Sequence, residues 1–260
     1  MTNILDDYAL MSPLRYQNNL LKLSIVFFGL IVGLLCTSPI TPIFIVPCMS
    51  FSTIIFGRAP SKLYFKLLLA PMSFAVIGVV IITFFSGSGQ DLLSFKLIGY
   101  PLSVKADGLE LAILVLSRSI SGICCLYFLA LTTPMIELFA VFKAFRLPES
   151  LIELTMLIYR YIFIFLEIAS SIINAQTIRS GYSNFRRSIN SIGMLASTLF
   201  IRAWEHGDKL LLAMNSRCYD GKMTVFEVHK PIKRIELLLT FAYFLLVLSL
   251  FYFTRNIFIV

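Results

Sequence analysis

The stretch Leu67–Phe85, LLLAPMSFAVIGVVIITFF, contains no charged side chain and decides the class of fold. A helix needs about 20 apolar residues, and at least about 17, to cross the hydrocarbon core of a bilayer. The whole chain has 260 residues, of which 58% are hydrophobic and only 14% charged, and its mean hydropathy is +0.87. Soluble domains have roughly a quarter charged residues. The sequence therefore predicts an all-α, polytopic membrane protein.

Four other apolar stretches, on either side of this one, are also long enough to cross the membrane as helices. The five predicted spans are Leu20–Cys36, Ile40–Phe56, Leu67–Phe85, Leu109–Leu131 and Ile235–Phe253. The first two are joined only by Thr37, Ser38 and Pro39, so they are expected to form an antiparallel pair.

The positions of the basic residues predict the orientation, because Lys and Arg in short loops are retained on the cytoplasmic side. The loop between the second and third spans carries Arg58, Lys62 and Lys66 and is therefore placed inside. The following loop, Ser86–Gly108, is charge-balanced and rich in glycine, as an outside loop should be. These assignments predict a cytoplasmic N-terminus and put Val260 on the other side.

A polar island of 66 residues, Ala169–Arg234, separates the last span from the others. It contains ten Lys or Arg residues and four Asp or Glu residues, so its net charge of +6 accounts for most of the chain's +8. The island is predicted to be a cytoplasmic platform that docks a soluble partner. The domain organisation follows as 1–135 for four membrane helices, 136–234 for a cytoplasmic coupling region and 235–260 for the final membrane helix.

The segment Leu151–Ile168 is apolar but contains Glu153, Arg160 and Glu167. If this segment crossed the bilayer, the basic island would lie outside, against the charge rule. We therefore interpret it as a helix at, or partly inside, the cytoplasmic interface.

Two helices within the island are each predicted to end at an arginine. Apolar residues from Ala196 to Met214 recur at helical spacing and predict an amphipathic helix that ends at Arg217. A preceding helix, from about Glu167 to Arg179, is expected to stop where Gly181 supplies a left-handed C-cap. Together the helices would present two arginines, 38 positions apart, at equivalent helix ends.

Short motifs along nearly the whole chain resemble the transmembrane T component of energy-coupling factor (ECF) transporters, especially the cobalt branch of CbiQ-like proteins. No single motif is specific, but their order and spacing are. They are Leu5-Asp6-Asp7-Tyr8, Ser12-Pro13-Leu14-Arg15, Thr132-Thr133-Pro134, Leu147-Pro148, Tyr159-Arg160-Tyr161, Ile178-Arg179-Ser180-Gly181, Arg202-Ala203-Trp204-Glu205 and Ala213-Met214-Asn215-Ser216-Arg217.

The resemblance implies a coupling subunit with two ATP-binding cassette ATPase subunits below it and a cobalt-binding membrane S component beside it. It also implies that cobalt ions are the substrate and that ATP hydrolysis takes place in the partner subunits. In that family, Ala-Arg-Ser and Ala-Arg-Gly motifs insert into grooves on the ATPases. The matching ATPase-coupling residues here are Arg179 with Ser180, and Ser216 with Arg217. Ile178, Ser216 and Cys218 depart from the small residues expected.

Arg118 is an outlier because it lies within the predicted span Leu109–Leu131. A charge at the bilayer centre costs about 2.5–3.5 kcal/mol even on the milder scales. Arg118 is therefore expected to face protein and to have a partner. The sequence leaves a structural role in helix packing and a role in transport equally open.

The sequence shows no catalytic, cofactor or metal site. It has no GxxxxGK[ST] loop for nucleotide phosphates, and its two histidines, His206 and His229, belong to no cluster with metal-ligand spacing. Asp6 and Asp7 are better explained as helix-capping or interface residues than as a diphosphate-Mg²⁺ site. The basic residues of the island are spread over helix faces beside a membrane, so partner and lipid contact is favoured and nucleic acid is not expected.

Three alternatives remain at this stage. The chain could be a T component shared among vitamin-specific S subunits, or a polytopic membrane transferase acting on prenyl or phospholipid substrates. It could also be an assembly factor that recruits a soluble protein without transport. The transferase would need a paired acidic or His-rich site at a membrane face, which the sequence does not display.

Overall fold

The computed structural model describes residues 4–85, 91–97, 100–144, 147–220, 230 and 232–255. His229 and Val260, which are named in the predictions above, lie outside these ranges. The α-helices of the described ranges are α1 (Ile4–Met11), α2 (Asn19–Leu35), α3 (Ile40–Phe51), α4 (Ser61–Phe85), α5 (Ala106–Thr132), α6 (Met135–Ala144), α7 (Glu149–Ile178), α8 (Phe185–Asn215) and α9 (Arg234–Thr254).

Shorter elements complete the fold. A 3₁₀ helix spans Pro13–Tyr16, and a π-helical segment, Ser52–Phe56, continues α3. Strands β1 (Asp91–Leu97) and β2 (Tyr100–Lys105) form an antiparallel hairpin between α4 and α5. The hairpin lies in the loop that the sequence analysis placed outside, and the architecture is all-α, as predicted.

Four helices of the described residues are long and apolar enough to cross a membrane, namely α4, α5, α7 and α9. Three of these contain predicted spans. The first two predicted spans correspond to shorter apolar helices, Asn19–Leu35 and Ile40–Phe56. The helix α7 meets the criterion of length and composition although the sequence analysis placed its first part at the membrane interface.

The chain divides into two compact units, Asn3–Leu138 with His229–Val260, and Phe139–Val228. In the first unit, α5 packs against α1, α2, α3 and α4, while α9 packs against α2 and α3. The core is formed by buried side chains of α2, α3, α5 and α9 together with one from the 3₁₀ helix. They are Leu14, Val26, Val32, Ile45, Met49, Cys124, Cys125, Phe128 and Val247.

Hydrogen bonds define the two ends of this first unit. At one end, Thr37 Oγ1 donates to the carbonyl of Arg255 (3.1 Å), so the turn between α2 and α3 lies beside the end of α9. At the other end, Asn18 Nδ2 donates to the carbonyl of Lys230 (2.9 Å), just before α9 begins. The start of α2 and the start of α9 therefore share one end of the bundle.

In the second unit, α7 and α8 run antiparallel. Three contacts fix this arrangement: Gln176 Nε2 to Ser191 O at 2.9 Å, the rings of Phe165 and His206 at 5.9 Å, and Tyr219 Oη to Glu153 Oε2 at 3.2 Å. Residues late in α7 thus meet residues early in α8, and residues early in α7 meet those that follow α8.

Both helices of this unit are longer than the sequence predicted. The helix expected at Leu151–Ile168 and the helix expected from about Glu167 are a single helix, α7, because no Gly or Pro interrupts the sequence from Glu149 to Ile178. The amphipathic helix expected from Ala196 starts at Phe185, since Gly193 lies within it and an isolated glycine costs only about 1 kcal/mol. The apolar stripe predicted for α8 is only partly buried. Ala203 and Leu210 are half-buried, whereas Phe200, Trp204 and Leu211 are exposed.

Candidate functional site

The helix α7 ends in a Schellman motif around Arg179. The amide of Gly181 donates to the carbonyl of Gln176 (2.8 Å), and the amide of Ser180 donates to that of Thr177 (3.0 Å). This pair of bonds requires a left-handed residue next to the helix end. That residue is Ser180, with φ of 57°, so the prediction that Gly181 supplies the left-handed C-cap is wrong.

Gly181 is needed for a different reason, which is close approach between the two helices. A Cβ atom on Gly181 would lie 2.7 Å from Ser191 Oγ and 2.9 Å from the carbonyl oxygen of Gln176. The hydroxyl of Ser191 also donates to the carbonyl of Gly181 (2.9 Å). A side chain at this position would separate the end of α7 from α8.

The helix α8 ends in the same motif around Arg217. The amide of Tyr219 donates to the carbonyl of Met214 (3.1 Å), and that of Cys218 donates to the carbonyl of Asn215 (3.1 Å). Cys218 has φ of 57°, as Ser180 does. Arg179 and Arg217 therefore occupy equivalent positions, each immediately before the left-handed residue that ends its helix.

Both arginines are exposed, and so are Ser180 and Ser216. Within the part of the chain that the structure describes, neither guanidinium has an ion-pair or hydrogen-bond partner. The arginines lie at opposite ends of the α7–α8 pair, and α8, with 31 residues, is about 46 Å long. The geometry thus presents two separated cationic groups on structurally matched helix ends.

Replacing Cys218 with glycine is expected to stabilise the second unit. A side chain in the left-handed region costs about 1–2 kcal/mol, part of which glycine loses again through its freedom in the unfolded chain. We expect Cys218→Gly to raise the free energy of unfolding by about 0.5–1 kcal/mol, measured by thermal unfolding in detergent. The matched variant Ala213→Gly, inside α8, should lower it by about 1 kcal/mol. Destabilisation by Cys218→Gly would contradict the strain inferred here.

Arg118 lies in α5 and is half-buried. Its Nε donates to the carbonyl of Cys36 (3.1 Å), and its Nη2 donates to the same oxygen. Cys36 follows the last residue of α2, where helix carbonyls have no partner within the helix and carry partial negative charge. The partner that the sequence analysis expected for Arg118 is therefore a helix end rather than a carboxylate.

A polar cluster that sequence reasoning missed surrounds Glu137, at the start of α6. Its carboxylate accepts hydrogen bonds from Arg15 Nε (2.9 Å), Asn19 Nδ2 (3.0 Å) and Lys230 Nζ. Burial alone would raise the pKa of Glu137, but the hydrogen bonds from Arg15, Lys230 and Asn19 outweigh it and hold the pKa below its usual range. Beside this cluster, the buried ammonium of Lys22 donates to the carbonyl of Thr132 (3.2 Å).

The remaining predicted residues have ordinary roles in the structure. Asp6 Oδ1 accepts a hydrogen bond from the amide of Met135 (3.2 Å), the first residue of α6, which confirms its interpretation as a capping or interface residue. His206 packs against Phe165. Among the described residues, no group of three or more His, Cys, Asp or Glu is arranged to hold a metal ion.

These features define a multi-pass helical membrane protein with two exposed, arginine-bearing helix ends. The family model for CbiQ, a cobalt transport protein, matches residues 11–227. The chain belongs to this family, and the predicted resemblance to the transmembrane T component of ECF transporters, cobalt branch, is confirmed.

Three relatives show how far the similarity extends. A protein of Methanocorpusculum labreanum named as a fused cobalt transport protein, CbiMQ, is 41% identical over 95% of this chain, which spans only 42% of that longer protein. An uncharacterized protein of Methanocaldococcus jannaschii is 37% identical over 98% of this chain and 94% of its own length. The ECF transporter transmembrane protein EcfT of Acidaminococcus fermentans is 29% identical over 77% of this chain and 76% of its own length.

Proposed function

We propose that this chain is the coupling subunit of an ATP-driven importer for cobalt ions. It transmits the motion of two ATPase subunits to a cobalt-binding S component in the membrane. The observation that carries this proposal is the pair of matched helix ends, each with an exposed arginine before a left-handed residue. ATP hydrolysis takes place in the partner subunits, and the chain itself is not an enzyme.

The separation of the two arginines supports two docking sites rather than one. A single ATPase groove would accept one helix end, whereas the two ends here lie about 40 Å apart along α8, from Ser191 beside the end of α7 to Arg217. A guanidinium can form a forked, charge-assisted pair with a carboxylate in a partner groove. Because both arginines follow rigid helices, movement of either ATPase would turn α7 or α8 as a lever.

The exposed apolar face of α7 supports contact with a membrane partner or lipid. Its members recur every three or four positions, and about half of each side chain is exposed. They are Leu151, Leu154, Ile158, Ile162 and Leu166. An apolar stripe of this kind on an otherwise amphipathic hairpin suits a membrane subunit such as the S component, with lipid around it.

The contacts of the first unit support a cytoplasmic position for α7 and α8. Glu137 bonds to Lys230, so the chain leaves the bundle after Glu137 and returns at the same end. An even number of membrane crossings must therefore separate these two residues. Among the described helices between them, only α7 has the length and composition of a span. If α7 crossed the membrane once, Glu137 and Lys230 would lie on opposite sides, which their hydrogen bond excludes.

Labelling of single cysteines is expected to place Asn184 in the cytoplasm and Thr37 outside. Asn184 lies in the exposed turn between α7 and α8, whereas Thr37 lies in the turn between α2 and α3. The background should lack the five native cysteines, of which Cys218 is exposed. Asn184→Cys should react with a membrane-impermeant maleimide only after the cells are opened, and Thr37→Cys before. Labelling of Asn184→Cys in intact cells would contradict the topology.

Co-purification tests the function itself. The tagged chain, co-expressed with ATP-binding cassette ATPase subunits and a cobalt-binding S component, should recover two ATPase subunits for each copy and should support ATP-dependent cobalt uptake by vesicles. Recovery of ATPases with uptake of a vitamin instead of cobalt would favour the shared T component. A catalytic activity of the isolated chain, with no ATPase recovered, would favour the transferase.

A further inference from the structure

A cavity of about 310 Å³ lies in the first unit, between α2, α3, α5 and α9. One end is polar and is lined by Gln17, Asn18, Lys22 and Glu236. These residues lie at the starts of α2 and α9, where two of the predicted membrane spans begin. The cavity extends from Glu236 to Tyr243 along α9, which is about 10 Å of helix. It therefore begins at a polar surface and continues into the bundle.

The deeper walls of the cavity are almost entirely apolar. They include Ile25 on α2, Met49 on α3, Phe128 on α5 and Leu239 on α9. The volume suits one hydrocarbon chain and is too small for a helix, because one helical turn with its side chains fills more than about 400 Å³. The apolar part therefore fits the tail of an amphiphile rather than a transmembrane helix of another subunit.

The polar end offers a buried hydrogen-bond donor. Lys22 is only 2% exposed, and its ammonium has three N–H groups. Two of them reach the carbonyl of Thr132 (3.2 Å) and Asn19 Oδ1 (3.4 Å). Within the described residues, the third has no acceptor, and Lys22 itself lines the cavity. An oxygen atom of a bound ligand could accept a hydrogen bond from this third N–H group of Lys22.

The charges around this end favour an anionic ligand. The charged side chains that line this end are Lys22 and Glu236, whereas Arg15 and Lys230 pair with Glu137 outside the lining. Because the carboxylate of Glu236 accepts a hydrogen bond from the amide of Asn18 (3.5 Å), the ammonium of Lys22 is left to meet the ligand. A phosphodiester carries one negative charge, and basic pockets between membrane helices on the cytoplasmic side suit anionic headgroups.

We propose that this cavity binds one membrane phospholipid with an anionic headgroup. One tail lies along Ile25, Met49 and Leu239, and a phosphate oxygen accepts a hydrogen bond from Lys22. The lipid would join α2, α5 and α9 at the end of the bundle where the chain leaves for the second unit. It is a bound component of the fold, distinct from the lipids that surround the exposed apolar surface.

Photocrosslinking tests the position of the tail. The purified full chain is reconstituted in phosphatidylcholine vesicles containing phosphatidylglycerol with a diazirine in one tail, and the labelled residues are found by mass spectrometry. Label is expected on Met49 and Leu239. Ile25→Trp, which fills the cavity, should lower the labelling of Met49 by about tenfold. Phe27→Trp, at a side chain 55% exposed on the same helix and outside the cavity, should leave it unchanged.

Native mass spectrometry in detergent tests the headgroup. One phosphatidylglycerol should be retained in preference to phosphatidylcholine, and Lys22→Met should remove that preference. Ile25→Trp should abolish retention of either lipid even if the Lys22 variant fails to fold. If Met49 were labelled equally in the Ile25→Trp variant and in the natural chain, the lipid would be only annular, and the proposal would be overturned. Equal retention of the two lipids, or a partner side chain cross-linked to Met49 in the assembled complex, would also overturn it.

Discussion

Replacing Arg179 and Arg217 together with glutamate is expected to release the ATPase subunits on purification and to abolish ATP-dependent cobalt uptake. Each arginine is exposed at a Schellman motif and, among the described residues, has no partner within the chain, so its charge is available to a docking groove. Losing one charge-assisted contact of this kind typically costs about 2–5 kcal/mol. Pull-down of the tagged double variant with its ATPases measures the loss.

The matched control for this reversal is Arg202→Glu with Lys209→Glu. Both side chains are exposed within α8, 15 and 8 residues before Arg217, and the pair makes the same change in net charge. The control pair should keep the ATPases, and both double variants should insert into the membrane. Each single variant keeps one of the two docking sites. Arg179→Glu or Arg217→Glu alone should therefore stop transport while part of the ATPase binding is retained. Full transport by the first double variant would remove these arginines from the mechanism.

Much of the membrane part follows from the sequence because apolar length is a local property. The spans Leu67–Phe85 and Leu109–Leu131 lie within α4 and α5, and Ile235–Phe253 lies within α9. The helix ends near the two arginines also follow from the sequence, since a helix pattern followed by Gly181 or by a polar segment marks an end. The backbone conformation at those helix ends could not be predicted from the sequence. Nothing local distinguishes Ser180 or Cys218 as the left-handed residue, because non-glycine residues adopt that conformation only where the surrounding contacts hold them.

The cluster around Glu137 could not be predicted in the same way. Its partners Arg15 and Lys230 are 122 and 93 positions away along the chain, and no periodic pattern connects them. Arg15 and Lys230 flank membrane helices, where basic residues are ordinarily interpreted as topology signals. Only the hydrogen bonds that reach Glu137 from the 3₁₀ helix, from α2 and from the segment before α9 show that they share one carboxylate. The polar end of the cavity, with Lys22, was missed for the same reason.

Replacing Glu137 with glutamine is expected to destabilise the first unit strongly at neutral pH. The side chains of Glu137 and Lys230 are only 18% and 11% exposed, so the variant leaves a largely buried cation without its counter-charge. Breaking a buried ion pair from one side costs about 3–5 kcal/mol, and partial exposure of Arg15 places the expected loss near about 3 kcal/mol. Denaturant unfolding of the detergent-solubilised chain, followed by circular dichroism, measures the difference.

The same carboxylate predicts how this difference depends on pH. Because the pKa of Glu137 is lowered in the folded chain, its contribution to stability is complete above the ordinary pKa of about 4.3. The contribution is lost as the pH falls through the lower, folded pKa. The advantage of the natural protein over Glu137→Gln should therefore be constant near neutral pH and should shrink in strongly acidic buffer. Glu205→Gln, at an exposed position on α8, should change stability by no more than about 0.5 kcal/mol at any pH. A Glu137 variant as stable as the natural protein at pH 7 would show that the three hydrogen bonds to this carboxylate do not hold the bundle together.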